Sequence, residues 1–197
     1  MIIPVGNRFV VLRGSVDASP GGRLPVILAP GQAFGSGEHE TTRSCLEELE
    51  KIPLAPQARV LDLGSGTGIL AVAAARLGVH SVIALDPSPE AAKTTLATIR
   101  LNGMGKVIFP VQGEIVAIRG AQFDLITANL FGDLLLRIAD LIHSLMKPGA
   151  HLLLSGILWG DAYDVKTVFT RAGCVFLRDQ YLEEYCTLLL RKSAARL

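Results

Sequence analysis

The stretch Val60-Leu61-Asp62-Leu63-Gly64-Ser65-Gly66-Thr67-Gly68-Ile69-Leu70 joins an apolar run to a glycine-rich turn, and the alanine-rich segment 71–77 follows at once. We interpret it as a strand, a tight loop and a helix, because glycine adopts positive φ and lets a ligand approach the backbone. The free N–H groups at the start of such a helix favour a carboxylate or phosphate. Asp86 ends a second apolar run 22 positions after Gly64, where an acid can bind sugar hydroxyls at the neighbouring strand tip. The pattern predicts a nucleoside-type cofactor at the strand ends of an open sheet.

Around this stretch, strand-like and helix-like segments alternate, as is typical of a doubly wound parallel sheet. Strands are predicted over 59–63, 81–86, 107–111, 123–128 and 150–155, and helices over 68–77, 89–101, 131–146 and 160–172. Segments 174–180 and 185–191 are predicted to close the chain as an antiparallel pair. We therefore expect an α/β fold with a mostly parallel seven-stranded sheet and an antiparallel final strand.

The segments before this region are shorter. The apolar runs 7–12 and 24–29 are predicted to form a hairpin or two extended segments, and Pro25 favours an edge position. A helix ending near Lys51 is predicted to be capped by Thr41 or Thr42.

Composition limits the class of protein. The chain has 197 residues, 50% of them hydrophobic, and a net charge of +1, so we expect one globular domain with no bulk attraction for nucleic acids or anionic membranes. It has no apolar run of about 20 residues and no signal-peptide pattern at its N-terminus. Cys45, Cys174 and Cys186 lack metal or redox spacing and indicate buried thiols in a reducing compartment. A cytoplasmic protein is predicted, and the sequence does not indicate an oligomeric state.

The glycine spacing narrows the choice of cofactor. A dinucleotide-binding G-x-G-x-x-G pattern would place its third glycine at position 69, which is Ile. Gly64, Gly66 and Gly68 instead resemble the loop of class I S-adenosylmethionine methyltransferases, whose fold is Rossmann-like. The spacing argues against a nicotinamide dehydrogenase.

Three further segments resemble one methyltransferase family. The run Ala33-Phe34-Gly35-Ser36-Gly37-Glu38-His39-Glu40-Thr41-Thr42-Arg43 resembles the A-F-G-T-G-x-H-x-T-T-R signature of the PrmA family, with Ser36 in place of threonine. Residues 61–70 match its glycine loop, Ala128-Asn129-Leu130 matches its A-N-L motif, and 149–158 also fit. PrmA enzymes methylate ribosomal protein L11. Lysine methyltransferases of the electron-transfer flavoprotein β subunit have similar motifs.

The length before the signature differs from the family pattern. PrmA proteins carry an N-terminal substrate-recognition domain, whereas about 30 residues precede Ala33 here, too few for an independent core. We expect residues 1–32 to be linker strands and residues 33–197 to be the methyltransferase domain. The resemblance thus predicts the cofactor and the chemistry more directly than the substrate.

The resemblance implies S-adenosyl-L-methionine as cofactor and a set of residues that bind it. That set is Phe34, Ser36, Thr42, Asp62, Gly64, Ser65, Gly66, Asp86 and Asn129. Asn129 and the Leu130 backbone are also expected to contact the accepting amine, as the catalytic pair. Several simpler roles stay open: Asp86 and Asn129 as helix caps, and Asp62 as a solvated strand-end acid.

The surrounding residues suggest fewer specific roles. No metal site is predicted, because the Glu38-His39-Glu40 run has no second cluster of ligands, and His39 is expected to pack the loop. Glu38 and Glu183 are weak candidates for a general base. Trp159 is predicted either at the substrate entrance or at an ordinary core or surface position.

The predicted function is methylation of amino groups, lysine above all, on a ribosomal or other cytoplasmic protein. Ala-Asn-Leu-Phe differs from the N/D-P-P-Y/F box of enzymes that methylate adenine or glutamine amides, which argues against those targets. Two alternatives stay open: a small-molecule methyltransferase of the same fold, and a non-catalytic cofactor-binding subunit. No membrane and no direct nucleic-acid partner is expected.

Overall fold

The computed structural model describes residues 1–13, 21–31 and 33–194; Gln32, at the predicted domain boundary, lies outside the described residues. The chain begins with β1 (Ile2–Val5), β2 (Phe9–Arg13) and β3 (Leu24–Leu28). β1 pairs with β2 antiparallel and β2 with β3 parallel. The two predicted apolar runs are therefore neighbouring strands and not a hairpin. Pro25 lies in an edge strand, as predicted.

Strands and helices then alternate in the predicted order. The strands are β4 (Arg59–Leu63), β5 (Ser81–Asp86), β6 (Ile108–Gln112), β7 (Phe123–Asn129), β8 (Met146–Leu158), β9 (Cys174–Tyr181) and β10 (Tyr185–Lys192). The helices are α1 (Glu40–Leu49), α2 (Ile69–Arg76), α3 (Pro89–Leu101), α4 (Gly132–Arg137), α5 (Ala139–Leu145) and α6 (Trp159–Arg171). Ser88 caps α3 by accepting from the N–H of Ala91 at 3.3 Å.

The main sheet has seven strands in the order β6-β5-β4-β7-β8-β10-β9. β4 to β8 run parallel to one another, and β10 is antiparallel to both β8 and β9. The predicted α/β fold with an antiparallel final strand is confirmed. The strand order reverses at β4, between β5 and β7, and open α/β sheets bind ligands beside such a reversal.

Two apolar cores cover the two faces of the sheet. One contains Phe9 and Leu46 together with the alanines of α2, so β1–β3 share a core with α1 and α2. The other contains Leu135, Ile142 and Phe169 of α4, α5 and α6. Within the described ranges, no helix is long and apolar enough to cross a membrane.

Side chains of α3 and its C-cap complete the outer edge of β3. The amide of Asn102 accepts from the N–H of Ile27 at 3.1 Å and donates to its carbonyl at 2.7 Å. Thr98 accepts from the N–H of Ala29 at 3.2 Å. These bonds replace those that a further strand would make, and they tie β3 to the main domain.

The predicted helix 131–146 is wrong, because α4 and α5 are separated at Ile138, which has φ −108° and ψ 11°. The N–H of Ile142 still donates to the carbonyl of Ile138 at 3.0 Å. Because the helical hydrogen bonding resumes in phase, the apolar residues keep their helical spacing across Ile138. The periodicity of the sequence therefore cannot reveal the break.

Two other local predictions are also wrong. The predicted strand 150–155 begins earlier, because residues 147–149 lie within β8, where the pairing with β7 slips between Phe123 and Leu125. α1 is capped by His39, whose Nδ1 accepts from the N–H of Thr41 at 3.3 Å, and not by a threonine. The general preference for threonine at this position gives way to the packing of the His39 ring.

Candidate active site

A cavity of about 710 Å³ opens beside the ends of β4, β5 and β7. It falls within the range typical of small-molecule sites. Residues from both ends of the described chain meet there. Those used below are Phe34, His39, Thr41, Gly64, Gly66, Asp86, Asn129, Leu130, Tyr185 and the segment 113–115.

The glycine loop forms one wall of the cavity. Gly66 has φ +54°, in the left-handed region that favours glycine. A Cβ at this position would also collide with the carbonyl of Phe34. The loop therefore requires glycine for its own packing, and this leaves the backbone of Gly64 and Gly66 facing the cavity.

Asp86 connects the glycine loop to the end of β5. Its Oδ2 accepts from the N–H of Gly66 at 2.9 Å and its Oδ1 from the N–H of Ser88 at 2.9 Å. Asp86 is 8% exposed and lines the cavity. It is not the cap of α3, because Ser88 is, and each carboxylate oxygen keeps a second lone pair for a ligand.

Asn129 presents a free acceptor at the end of β7. Its Nδ2 donates to the hydroxyl of Thr41 at 3.2 Å. Its Oδ1 is buried and has no hydrogen-bond partner within the described part of the chain. Buried acceptors are rarely left without a donor, so we expect a bound water or a ligand to donate to this atom. Phe131, not Asn129, is the N-cap of α4.

Leu130 contributes less of its backbone than predicted. Its N–H donates to the carbonyl of Ser155 at 3.0 Å, so only its carbonyl is available for a ligand. Its side chain packs on Gly64, where a Cβ would come within 2.6 Å of Leu130 Cδ2.

The loop before α1 folds over the glycine loop. The carbonyl of Phe34 accepts from the N–H of Thr67 at 3.0 Å, and the carbonyl of Gly35 from its hydroxyl at 2.7 Å. The Phe34 ring lines the cavity while 56% of the residue stays exposed. These bonds hold the loop against the site.

Four predicted cofactor residues lie behind the cavity wall. Ser36 bonds Glu38 at 3.3 Å, and Ser65 bonds the hydroxyl of Thr95 at 3.2 Å. Thr42 is 1% exposed, and its hydroxyl has no partner among the described residues. With Asp62, none of these residues is part of the cavity lining. Direct contact of all four with the cofactor stays a prediction.

Asp62 is a buried structural acid and not a solvated one. It is 2% exposed and accepts from the N–H of Ala71 at 3.1 Å and from the hydroxyl of Thr127 at 2.8 Å. Burial raises the pKa of this carboxyl to about 6, opposed by these two hydrogen bonds. Asp62 joins β4 to α2 and β7 beneath the glycine loop.

Other cavity residues were missed or underestimated from the sequence. The His39 ring, expected to pack the loop, does so at centroid distances of 5.4 Å from both Phe34 and Tyr185, and it also lines the cavity. Thr41 also lines the cavity, and it lies in the same 33–43 motif as Thr42, which is predicted to bind the cofactor. No sequence motif marks Tyr185 or the segment 113–115 as cavity residues, because only the order of strands in the sheet brings them to the site.

The remaining candidates lie outside the cavity lining. Trp159 is 52% exposed and donates from Nε1 to the carbonyl of Tyr185 at 3.0 Å. Glu38 is paired with Arg13 at 3.0 Å. Within the described residues, no group of three histidine, cysteine or acidic side chains is placed to hold a metal ion.

Known proteins resemble this chain over nearly its whole length. A family model described as ribosomal protein L11 methyltransferase (PrmA) matches residues 3–193. A ribosomal protein L11 methyltransferase of Rhodopseudomonas palustris is 36% identical over 98% of this chain and 68% of its own length. One of Geobacillus thermodenitrificans is 33% identical over 96% of this chain and 61% of its own length. The chain thus spans about three fifths of that relative.

A solved structure extends the comparison to three dimensions. The crystal structure of a ribosomal protein L11 methylase from Lactobacillus delbrueckii subsp. bulgaricus has a TM-score of 0.87 at 26% identity. The match covers 97% of this chain and 98% of that one. From the matched family model, the identity to its members and this shared fold, we conclude that the chain belongs to the PrmA family of ribosomal protein L11 methyltransferases, whose cofactor is S-adenosyl-L-methionine.

Proposed function

We propose that this chain transfers methyl groups from S-adenosyl-L-methionine to amino groups, lysine above all, of ribosomal protein L11. One observation carries the proposal beyond family membership: the glycine loop, Asp86 and Asn129, whose buried Oδ1 has no partner among the described residues, all line one cavity. A cofactor site and an acceptor site are thereby brought together. Residues 33–197 are the proposed catalytic unit, with 1–32 as linker strands.

The residues present fit the cofactor. Asp86 keeps lone pairs for ribose hydroxyls, the Gly64 and Gly66 backbones are open to the cavity, and Phe34 and Ile115 provide apolar surface for a planar base. When bound, the cofactor supplies a methyl group already activated on a sulfonium. The protein therefore contributes mainly position and electrostatics.

Asn129 is the proposed orienting group for the amine. Thr41 accepts from Nδ2 of Asn129, and this bond fixes the amide with Oδ1 free. That oxygen can accept one N–H of a neutral amine and direct the nitrogen lone pair away from itself. An oriented nucleophile is worth most at the transition state.

The amine must be neutral to act as a nucleophile. Leu63, Ile115, Leu134 and Ile138 make much of the cavity lining apolar, and desolvation lowers the pKa of an amine. Neither Glu38 nor Glu183 lines the cavity. We propose that the proton passes to water at the open side of the cavity.

Incubation with methyl-labelled S-adenosyl-L-methionine and bacterial ribosomal protein L11 tests the proposal, with peptide mass spectrometry to locate the label. Label on L11 amino groups, lost with Asn129→Ala, is the expected result. Label only in small molecules of a lysate would favour the small-molecule alternative. Binding of S-adenosylhomocysteine without any transfer would favour the non-catalytic alternative, and NAD should not bind in either case.

A further inference from the structure

A continuous surface borders the cavity on the side of β10. The starts of α4 and α6 touch, since a Cβ on Gly132 would lie 2.7 Å from Cβ of Asp161. Trp159 of α6 donates from its backbone N–H to the carbonyl of Glu184 at 3.2 Å. We call this surface the acid–aromatic rim, and its residues are Phe131, Trp159, Asp161, Tyr181, Glu183 and Glu184.

Three large rings on the rim face solvent. Phe131 is 67% exposed, Trp159 52% and Tyr181 58%. The Trp159 and Tyr181 rings meet edge to face at 6.2 Å. Grouped exposed aromatic side chains mark interaction sites more often than ordinary surface.

The charge of the rim is negative. Glu183 and Glu184 are exposed and Asp161 is half-buried, and none of them is in an ion pair with another described residue. Glu40 holds their turn in place by accepting from the N–H groups of Glu183 at 3.0 Å and Glu184 at 3.4 Å. The turn that carries the two glutamates is therefore held in place, and their carboxylates are available to a cationic partner.

The rim leads into the acceptor side of the cavity. Phe131 belongs to both surfaces, and Tyr185 lines the cavity directly after Glu184. Asn129, whose buried Oδ1 has no hydrogen-bond partner among the described residues, lines the same cavity. A chain whose amine reached Asn129 from this side would pass over the rim.

We propose that the acid–aromatic rim docks an extended basic segment of the protein substrate, and that it selects target amines with a lysine or arginine close by in sequence. The rings cover the apolar stems of such side chains and attract their cations, while the carboxylates pair with them. Nucleic acid is a poor occupant, because the rim would repel its phosphates. This inference rests on the proposed amine methylation and adds the recognition surface.

Trp159, the only tryptophan of the chain, gives a direct signal for docking at the rim. We would titrate the full chain with a short peptide whose single lysine is flanked by arginine pairs, and with a matched peptide carrying glutamine in their place. The arginine peptide should change Trp159 fluorescence and bind about tenfold more tightly. A tenfold rise in ionic strength should remove most of this difference, because exposed charges are screened.

The variant Glu183→Gln/Glu184→Gln should bind the arginine peptide about 5- to 10-fold more weakly. The matched control Glu47→Gln/Asp140→Asn removes the same charge from α1 and α5, outside the rim and the cavity lining, and should bind as the wild type does. The proposal is overturned if the wild type binds both peptides equally or responds to neither. It is also overturned if the rim variant binds the arginine peptide as tightly as the wild type does, or if single-stranded RNA gives a stronger response.

Cofactor binding is measured separately from docking. Calorimetry with S-adenosylhomocysteine should give the same Kd for the wild type and the rim variant. If that ligand does not bind at all, the proposed methyl transfer fails, whereas the peptide titration still decides on the rim. If the wild type binds the cofactor normally but does not respond to the arginine peptide, only the rim proposal is overturned.

Discussion

Replacement of Asp86 by alanine should weaken S-adenosylhomocysteine binding by about 1.5–3 kcal/mol, or roughly 10- to 100-fold in Kd, the range for a hydrogen bond to a charged group. The variant also loses the bonds that Asp86 accepts from Gly66 and Ser88 at 2.9 Å. The loop N–H of Gly66 is then buried without its partner. We expect the free energy of unfolding to fall by about 2 kcal/mol for this reason.

Asp124→Ala is the matched control for the stability effect. Asp124 also accepts a backbone N–H, that of Arg59 at 2.8 Å, and pairs with Lys147, but it lies at the start of β7 and away from the main cavity. Chemical denaturation and calorimetry should show reduced stability in both variants and reduced affinity only in Asp86→Ala. Unchanged affinity in Asp86→Ala despite a comparable loss of stability would refute the ligand role of Asp86.

Three further variants test the site. Asn129→Ala should lower the single-turnover rate about 10- to 100-fold and change cofactor affinity little; equal losses would make Asn129 a cofactor ligand only. Asp62→Asn keeps an acceptor for the N–H of Ala71 and replaces the acceptor for Thr127 with an N–H donor, from which the Thr127 hydroxyl can accept. Because burial raises the pKa of Asp62 from 3.8 to about 6, the wild type gains stability as the pH falls between these values. The Asp62→Asn variant should therefore be about 3 kcal/mol more stable than the wild type at pH 7 and lose that advantage towards pH 4. Parallel pH profiles of the two proteins would contradict this. Gly66→Ala should cost about 2 kcal/mol or more through its φ of +54° and the Phe34 carbonyl, and a melting temperature equal to the wild type would count against it.

Local signals predicted most of the fold. β4, β5 and α3 have the predicted bounds, because apolar runs, Ser88 and Asn102-Gly103 mark their ends within a few residues. The break at Ile138 does not interrupt the apolar spacing, and the early start of β8 depends on its pairing with β7, where Met146 lies opposite Phe123. No window of the chain contains those contacts.

The site was predictable where residues follow the ends of parallel strands. Gly66, Asp86 and Asn129 meet there because parallel strands end at one edge of the sheet. Asp62 could not be placed in this way, since successive strand residues point to opposite faces and Leu63, not Asp62, lines the cavity. The bond from Asn129 to Thr41 joins residues 88 positions apart, which no spacing rule predicts.

The closure of β3 by Asn102 has a consequence for synthesis and refolding. Asn102 lies 75 positions after Ile27, so the N-terminal strands leave the ribosome well before the helix that completes their edge. In that interval β3 is an open template for pairing with other chains. Asn102→Ala should therefore lower the yield of soluble protein more than its effect on the melting temperature of the purified protein would suggest.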